Sequence, residues 1–544
     1  MRPSNSQSRR AFLKTGMATA AGVALPRWAG AQSAPALVTS ETERPQVLQG
    51  LTFGDPHNGT VVVWSRTDRP ARLLVEWSYD ERFRDVQRLV GPYALDTSDF
   101  TVRQGLKGLE PGSNVFVRVS FESLKNDRAR SAKIVGRFVV PPDPTRDEDH
   151  GFGRGRNDLR FVWSGDTAGQ GWGINPGFGG MKIYEAMRQR EPLFFIHSGD
   201  TIYADGPIAE VVPAENGLIW NNIVTPEVSK VAETLDEFRG RHRYNLLDEN
   251  VRRFNAEVPQ IWQWDDHEVV NNWSGSKDLS GDARYTEKNV PLLTARGTRA
   301  FLEYAAMRPF KVHESQRVYR HYSYGPLLEL FVLDMRSYRG PNSTNLETTP
   351  STRTAFLGRE QLDWLKTRLE KSRAVWKVVA ADMPLGLNVP DGMTSEGVAR
   401  WEAVANGESG SAKGRELEFA ELLSHLKRER VRNVVWLTAD VHYCAAHHYD
   451  PSRAAFRGFD PFWEFVAGPL NAGTFGPNTL DGTFGPQVVF AKAPPAGQSN
   501  LSPYSGYQFF GEVNIDAQTR QMTVDLRDIN GQSVFSKTLQ PRFE

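Results

Sequence analysis

The sequence predicts an α/β protein in which a small β-sandwich precedes a larger domain of layered sheets and helices. Its 544 residues, 39% apolar and 24% charged, are enough to bury more than one core. Short segments rich in β-branched and aromatic residues occur before residue 142. After residue 155, apolar strands alternate with amphipathic helices, which is typical of an α/β domain.

The first 31 residues have the features of an export signal. Paired arginines in "SRRAFLK" (Ser8 to Lys14) stand before the mildly apolar stretch "TGMATAAGVAL", and the small residues Ala29 and Ala31 follow. This arrangement resembles a twin-arginine signal with cleavage after Ala31. It predicts export by the twin-arginine machinery to the periplasm or the medium, and the alternative is a disordered basic tail.

The charge balance argues against one class of protein, and the single cysteine excludes an intrachain disulfide. The chain has 65 basic and 65 acidic residues, and removal of the leading segment would leave 60 basic against 65 acidic residues. This balance argues against general nucleic-acid binding, which needs a basic surface. No later apolar run approaches the ~20 residues that span a bilayer, so no stable membrane anchor is expected. Cys444 is the only cysteine, so no intrachain disulfide can form.

Residues 45–142 predict the small β-sandwich, similar to a fibronectin III domain. Turn signals such as "DPHNG" and "LEPGS" separate its strand-like segments. Those segments are "TVVVWSR", "ARLLVEWSY", "NVFVRVSFES" and "AKIVGRFVV". The Pro-, Gly- and charge-rich stretch "PPDPTRDEDHGFGRGRND" follows and predicts a linker to a second domain, residues 155–544.

The second domain shows six strands that each end at an aspartate. They are "LRFVWSGD", "LFFIHSGD", "PQIWQWDDHE", "LLELFVLDMR", "VWKVVAADMP" and "NVVWLTADVHY". The helices "GREQLDWLKTRLEKS" and "RELEFAELLSHLKRER" lie between strands and carry apolar residues at three- and four-residue spacing.

The strand-end aspartates predict a metal centre. They are Asp166, Asp200, Asp265 with Asp266, Asp334, Asp382 and Asp440. One such aspartate, taken alone, is more often a helix cap or a turn residue. The carboxyl ends of strands open into the ligand crevice of an α/β sheet, so these acids can converge there. Clustered carboxylates repel one another unless a cation lies between them.

The ordered series of sequence blocks resembles the PhoD-type alkaline phosphatases, a branch of the calcineurin-like metallophosphoesterases related to the purple acid phosphatases. The blocks are "SGDTIYADG", "IWQWDDHEVVNNW", "VLDMRSYRG", "LGREQLDWL", "TADVHY" and "EFVAGPL". The resemblance covers nearly the whole chain. It implies a layered metallophosphoesterase domain and hydrolysis of phosphate esters by a water molecule activated at two metal ions.

The resemblance also implies the ligands of those ions. They are Asp166, Asp200, Tyr203, Asp266, Asp440 and His442. Asp200 would bridge the two ions, and Tyr203 would give a phenolate to the first. Phenolate and carboxylate oxygens suit Fe³⁺ in the first site, and the oxygen-rich second site suits Ca²⁺ or another divalent ion.

Three further residues are candidates for catalysis. His267 matches the family's imidazole beside the leaving group, and the alternative is a structural histidine. Asn271 would orient the phosphoryl group, or simply cap a helix. Arg336 is expected to clamp phosphate, although ion pairs at a strand end explain it and the neighbouring Arg339 equally well.

Some positions depart from the family pattern. The first block reads "SGDTAGQGWG", without the cysteine found in many members, so Asp166 is expected to be a carboxylate ligand. The block that supplies a further histidine in related enzymes reads "VVAADMPLG", and Asp382 is either its replacement or a turn residue. Cys444 is expected to pack as a small apolar residue. His447 and His448 are adjacent on an extended stretch, so at most one would reach a metal.

The sequence therefore predicts an exported, dinuclear-metal phosphoesterase that acts on phosphate monoesters, diesters or both. One alternative is a dedicated phosphodiesterase that acts on a lipid or a cell-wall polymer. An alternative of another class is a metal-stabilised, non-catalytic protein that binds a surface. The long insert after Tyr203, residues 204–238, is expected to border the mouth of the active site, because long loops near a site often cover it.

Overall fold

The structure, a computed structural model, describes residues 41–142, 158–309, 314 and 316–543. The predicted export signal and most of the predicted linker lie outside these residues. In the described part, no helix is long and apolar enough to cross a membrane.

The N-terminal unit consists of seven strands. They are β1 (Leu51–His57), β2 (Thr60–Arg66), β3 (Ala71–Ser78), β4 (Gln87–Ala94), β5 (Thr101–Leu106), β6 (Asn114–Ser123) and β7 (Ile134–Val139). Strands β4, β3, β6 and β7 form one antiparallel sheet, which packs against β1, β2 and β5. Alternating buried residues such as Leu73, Val117 and Val119 fill the space between the two layers. This is the arrangement of a sandwich.

The larger unit contains seventeen strands and six helices among the described residues. Its strands are β8 (Leu159–Ser164), β9 (Phe195–Ser198), β10 (Val211–Pro213), β11 (Ile219–Asn221), β12 (Gln260–Gln263), β13 (Arg320–Tyr324), β14 (Leu328–Val332), β15 (Trp376–Ala380), β16 (Pro390–Met393), β17 (Ala399–Trp401), β18 (Val434–Thr438), β19 (Cys444–Tyr449), β20 (Phe462–Val466), β21 (Pro486–Lys492), β22 (Phe509–Ile515), β23 (Met522–Asp528) and β24 (Ser533–Leu539). Its helices are α1 (Lys182–Arg188), α2 (Leu235–Asn245), α3 (Glu249–Asn255), α4 (Val290–Tyr304), α5 (Arg359–Lys371) and α6 (Glu416–Arg428).

Two large sheets face each other at the centre of the molecule. One has the order β24-β23-β22-β8-β9-β12-β1-β2-β5, and the other has the order β13-β14-β15-β18-β20-β19-β21. Buried side chains of both sheets, among them Trp163, Ile196, Val378 and Leu437, form the core between them. Helices α1 and α3 cover the outer face of the first sheet, and α5 and α6 cover that of the second. The layered α/β prediction is confirmed.

The six predicted strands are β8, β9, β12, β14, β15 and β18, and their order brings their carboxyl ends together. Within the first sheet, β8, β9 and β12 are parallel neighbours. Within the second, β14, β15 and β18 are parallel neighbours. Because parallel neighbours end at the same edge of a sheet, each sheet presents three of the aspartate-bearing turns there.

The N-terminal sandwich is joined to the larger unit through a shared sheet. Strand β1 pairs in parallel with β12, with Gly54 opposite Gln260. The approach is close, since a Cβ atom on Gly54 would lie 2.1 Å from the Ala306 carbonyl oxygen. Three strands of the sandwich therefore extend the sheet that carries half of the aspartate turns.

Candidate metal centre

The predicted ligands meet in one place, between the carboxyl ends of the two sheets. All of them except Tyr203 belong to three overlapping groups whose ligand atoms lie within 4.8 Å of one another, and these groups also include Asp265 and His267. The groups are Asp166–Asp200–His442, Asp200–Asp266–His267 and Asp265–Asp266–Asp440. Asp200 and Asp266 each belong to two groups, so the acids form one continuous cluster.

The backbone at this cluster is held in an unusual conformation. Asp166, Asp200, Asp440 and His442 all have positive φ angles, of 71°, 49°, 68° and 62°. Such angles cost free energy for residues with a Cβ atom, and they persist where the surrounding structure enforces them. The strand ends therefore turn sharply so that these four side chains point to a common centre.

Glu268 fixes two of the turns. Its buried carboxylate accepts hydrogen bonds from the backbone nitrogens of Asp200 at 3.2 Å, Thr201 at 2.5 Å and Asp265 at 2.7 Å. Gly199 is required beside it, because φ is 98° and a Cβ atom would lie 2.4 Å from the Asp265 Cβ. The turns after β9 and β12 are thus locked to each other.

Tyr203 and His442 lie at the first group. The Tyr203 hydroxyl is 2.8 Å from His442 Nε2, and His442 Nδ1 donates to the Gly473 carbonyl oxygen. With Nδ1 occupied, the Nε2 lone pair faces the cluster, which is the tautomer that a metal needs. Burial lowers the pKa of His442 to about 4, so the imidazole is neutral. Burial and the neighbouring Asp200 hold the pKa of Tyr203 well above its ordinary value, so a phenolate there requires a bound cation.

The donor set fits metal ions. Buried oxygens Asp166 Oδ2, Asp265 Oδ2 and Asp266 Oδ1 make no hydrogen bond within the described residues. Burial and neighbouring acids raise the pKa values of Asp166 and Asp440 well above their ordinary range. Buried carboxylate oxygens are costly unless they are paired or coordinate a cation. Carboxylate, phenol and imidazole groups without sulfur favour hard ions.

His267 is positioned by Asp205. His267 Nδ1 is 2.6 Å from Asp205 Oδ1, and Asp205 Oδ2 accepts from the Asn271 backbone nitrogen at 3.0 Å. Burial opposes a charge on the imidazole, but Asp205, Asp266 and Asp200 raise the pKa of His267 well above its ordinary value. The neighbouring carboxylates, Asp205 first, therefore favour the protonated form of His267 beside the acid cluster. Its Nε2 atom lies 4.0 Å from Asp266.

Arg336 differs from its predicted role. The side chain is completely buried, and its guanidinium forms ion pairs with Asp265, with Asp382 at 3.1 Å, and with Glu402. A guanidinium enclosed by three carboxylates has no free face for a substrate phosphate. The prediction of a phosphate clamp is corrected, because Arg336 lies beneath the cluster as its counter-charge.

The other sequence candidates have structural roles. Asp334 accepts from the backbone nitrogens of Arg336 and Ser337 and so caps its own turn. Asp382 pairs with Arg336 and belongs to none of the three groups. Arg339 donates to the Glu402 carbonyl oxygen.

The residues after Asp440 on β19 also lie away from the cluster. Cys444 is fully buried. His447 pairs with buried Glu464 at 2.9 Å, while the His448 ring packs on Trp463. Neither histidine belongs to the three groups.

A cleft of about 490 Å³ opens beside the cluster. Tyr203, His267 and Asn271 line it, and the side chain of Asn271 is exposed there. Gly206 and Pro207, near the start of the insert, also line it, as expected for a loop that borders the mouth. Lys277 contributes an ammonium group to the wall.

Several functional residues were not found by sequence reasoning. Asp205 lies in "YADG" and Glu268 lies in "DDHE". The only sequence feature that pointed to them is that each is an acid close to a predicted ligand. The sequence places Asp265 at a strand end but gives no reason to assign it to the metals. Glu402 lies 66 residues from Arg336, in no motif, and carried no signal.

Comparison with known proteins places this geometry in context. The chain matches the PhoD-like phosphatase family over residues 161–526 and the N-terminal domain of PhoD-like phosphatases over residues 31–142. It is 26% identical to alkaline phosphatase D of Bacillus subtilis over 452 residues, which cover 78% of this chain and 69% of that protein.

Two solved structures share the fold. A structure of PhoD has a TM-score of 0.66 and 21% identity, and the match covers 92% of this chain and 90% of that one. The purple acid phosphatase PPD1 of yellow lupin has a TM-score of 0.53 and 13% identity, with 92% of this chain and 74% of that chain covered.

Proposed function

The chain belongs to the PhoD-like phosphatase family, and on this premise we propose that it is an exported phosphoesterase that hydrolyses phosphate monoesters, diesters or both with two metal ions. The observation that carries the proposal is the group of buried carboxylate oxygens without hydrogen-bond partners among the described residues. They lie beside a phenol and two imidazoles, next to an open cleft. Stabilisation of a fold by Ca²⁺ requires neither the phenol nor the imidazoles.

The metal pair in the proposal is Fe³⁺ with Ca²⁺ or another divalent ion. Asp166, Asp200, Tyr203 and His442 would hold Fe³⁺, which favours phenolate and carboxylate oxygens. Asp266 and Asp440, together with Asp200, would hold the divalent ion. Such ions, when bound, supply an activated water molecule and neutralise charge on the phosphoryl oxygens.

The residues of this chain supply the remaining steps. His267 holds a proton that Asp205 stabilises, and it can give that proton or a hydrogen bond to the leaving-group oxygen. The exposed Asn271 amide lines the cleft, where it can orient the phosphoryl group. Arg336 has no contact with substrate in this scheme. Its ion pairs hold Asp265 and Asp382 in place beneath the ligands.

Export is proposed from residues 1–31, with delivery by the twin-arginine machinery to the periplasm or the medium. Replacement of both Arg9 and Arg10 by lysine is expected to leave the precursor in the cytoplasm, because paired arginines define this signal. Cell fractionation measures the result. A change of Arg27 to lysine is the matched control. Normal export of the double variant would contradict export by the twin-arginine machinery.

The proposal is tested by metal analysis of the protein exported by its own host, together with assays of a phosphate monoester and a diester. We expect two metal ions for each chain and hydrolysis of at least one ester. Asp200→Asn should reduce the content of both ions, since this residue belongs to two ligand groups. The control is Asp450→Asn, outside the cluster.

The assay separates the proposal from its alternatives. Activity on the diester alone favours a dedicated phosphodiesterase. A metal-loaded protein that hydrolyses neither ester would favour the non-catalytic, surface-binding alternative and would end the proposal.

A further inference from the structure

The two oxygens of the Asp266 carboxylate have different surroundings. Oδ2 accepts a hydrogen bond from the backbone nitrogen of Asn272. Oδ1 is buried and makes no hydrogen bond within the described residues. One oxygen is thus held by the backbone, and the other is available to a cation. The position of that available oxygen therefore depends on where the Asn272 backbone lies.

The Asn272 backbone is held in a left-handed conformation. Its φ angle is 56°, in a region that asparagine adopts more readily than most residues. Asn272 Nδ2 donates to Asp391 Oδ1 at 2.8 Å, and the Asn272 carbonyl oxygen accepts from Asn342 Nδ2 at 3.2 Å. The same Asn342 amide donates to Asp391 Oδ2 at 2.9 Å. These three residues therefore form a closed ring of hydrogen bonds at the turn that follows Asp266.

Asp391 lies on a hairpin that is otherwise largely exposed. Strands β16 and β17 are antiparallel, with Pro390 opposite Trp401. Met393 and Val398 are 69% and 45% exposed, whereas Asp391 is half-buried. The Pro390 carbonyl oxygen is a second, more distant acceptor for Asn272 Nδ2, at 3.4 Å. The shorter contact between the hairpin and Asn272 is therefore made by the Asp391 carboxylate.

A buried arginine fixes this ring of hydrogen bonds from the inside. Asn342 is 3% exposed, and its Oδ1 atom accepts from Arg415 at 2.7 Å. Arg415 also donates to the Glu402 carbonyl oxygen at 2.6 Å. The Glu402 carboxylate in turn forms an ion pair with Arg336, beneath the acid cluster. Asp391 is therefore held by the same buried framework that supports the acids.

We propose that Asp391 is a positioning residue for the divalent-ion site that contains Asp266, and that it acts through Asn272. This inference rests on the proposed function, because it concerns how the same metal site is formed. Asp391 contacts neither an ion nor a substrate in this scheme. It fixes the turn that holds Asp266 Oδ2, and Oδ1 remains available to the ion. Removal of a partner of this kind typically weakens metal binding about tenfold to a hundredfold.

Release of metal to a chelator tests the proposal without relying on catalysis. The wild-type protein, carrying its metals, and Asp391→Ala are dialysed against increasing concentrations of EDTA, and elemental analysis counts each ion per chain. We expect the divalent ion to leave Asp391→Ala at an EDTA concentration at least about tenfold lower than for wild type. The ion of the Asp166–Asp200–His442 group should be retained equally, because Asp266 is not a member of that group.

Asp391→Asn provides a milder change in case the alanine variant does not fold. Its side chain keeps one acceptor oxygen in place of two, so it can hold Asn272 or Asn342 but not both. Its divalent ion should be released at an EDTA concentration between those of wild type and Asp391→Ala.

A second variant tests the route through Asn272. Asn272→Gly keeps the backbone donor and suits the left-handed conformation, but it removes the side chain that Asp391 holds. It should weaken retention of the divalent ion by a factor similar to that of Asp391→Ala. Addition of Asp391→Ala to Asn272→Gly should cause little further loss, because both changes remove the same contact. Fully additive losses would contradict action through Asn272.

Rescue by metal gives a further readout. The kcat of Asp391→Ala should fall by at least about tenfold when the divalent ion is limiting, and it should recover when that ion is added in excess. A residue that only bound substrate would show no such recovery.

The matched control is Glu396→Gln, which changes the other acid of the hairpin, and it should retain both ions as wild type does. Release of the divalent ion at the wild-type EDTA concentration from both Asp391 variants would overturn the inference, as would loss of both ions together. A wild-type protein with fewer than two ions would contradict the proposed function itself.

Discussion

At the scale of single residues, Tyr203 gives the most direct test of the first metal site. A phenolate bound to Fe³⁺ produces a visible charge-transfer absorption, whereas a free tyrosine absorbs only in the ultraviolet. Tyr203→Phe keeps the ring that packs 4.2 Å from His267 and loses one hydrogen bond to His442. We expect stability to fall by only about 1 kcal/mol. Colour should be lost and activity should fall by at least about tenfold.

The absorption spectrum and the specific activity of the purified protein measure both effects. Tyr504→Phe is the control, because its hydroxyl contacts Ile219 O and Asn175, away from the acids. A colourless wild-type enzyme with stoichiometric iron, or an unchanged Tyr203→Phe spectrum, would exclude phenolate ligation.

The pair of His267 and Asp205 predicts a pH effect. Asp205 is the largest contributor that raises the pKa of His267, against the opposing effect of burial. Removal of its charge in Asp205→Asn lowers that pKa, so the protonated imidazole is lost at a lower pH. The alkaline limb of the kcat profile should therefore move to lower pH, with the rate falling about tenfold per pH unit beyond it.

A pH profile of kcat for the metal-loaded enzyme measures this shift. Asp278→Asn, which changes another carboxylate in the cleft wall, should leave the limb where it is. An alkaline limb that stays in place in Asp205→Asn would show that His267 is not the titrating acid.

The acids that could be predicted from the residue pattern alone share one property, which is their position at a strand end. Asp166, Asp200 and Asp440 follow buried strands, so their convergence is a consequence of sheet geometry. Arg336 could not be assigned correctly, because its partners Asp382 and Glu402 come from separate segments whose meeting depends on tertiary packing. A guanidinium at a strand end has the same sequence pattern whether it binds substrate or buried acids.

At the scale of elements, hydrophobic periodicity predicted helices α5 and α6. The predicted apolar spacing appears in α5, where Leu362, Leu365 and Leu369 are buried. Strand β1 was harder to predict from the sequence, since "LTFGDPH" contains a glycine, an aspartate and a proline that argue against a central strand. Its place beside β12 depends on Asp55 finding buried partners more than two hundred residues away.

The start of helix α6 predicts a pH dependence of stability. Burial and Asp481 raise the pKa of Glu416 to about 8 from an ordinary 4.5. Between those values the folded state holds the proton and the unfolded state has lost it, so stability falls as the pH rises. Glu416→Gln removes this loss and keeps an acceptor for Lys413 N and Asn406. The variant should be more stable than wild type above pH 8 by roughly 2–4 kcal/mol.

Urea unfolding at several pH values across this interval measures the difference. Glu429→Gln, at the exposed end of the same helix, serves as the control. The assignment is wrong if the stability difference between Glu416→Gln and wild type does not grow with pH.

At the scale of the whole molecule, the sandwich and the larger unit share a sheet, and Asp55 forms hydrogen bonds between them. This carboxylate is 2% exposed and accepts hydrogen bonds from the Tyr322 hydroxyl at 2.5 Å and the Arg308 backbone nitrogen at 2.7 Å. Arg320 lies 3.3 Å away. These partners belong to the larger unit, on β13 and after α4. Residues 45–142 are therefore tied to the catalytic unit by buried polar contacts as well as by β1.

We expect the two units to unfold together. Asp55→Ala leaves the Arg320 guanidinium, whose side chain is 11% exposed, without its carboxylate, which should lower the free energy of unfolding by about 3–5 kcal/mol. The loss should appear in a single transition, recorded by denaturant unfolding with near- and far-ultraviolet circular dichroism. Asp85→Ala, on the exposed surface of the same sandwich, should have little effect. Independent units would instead give two transitions, with Asp55→Ala moving only one, and residues 155–544 alone would then fold and retain their metals.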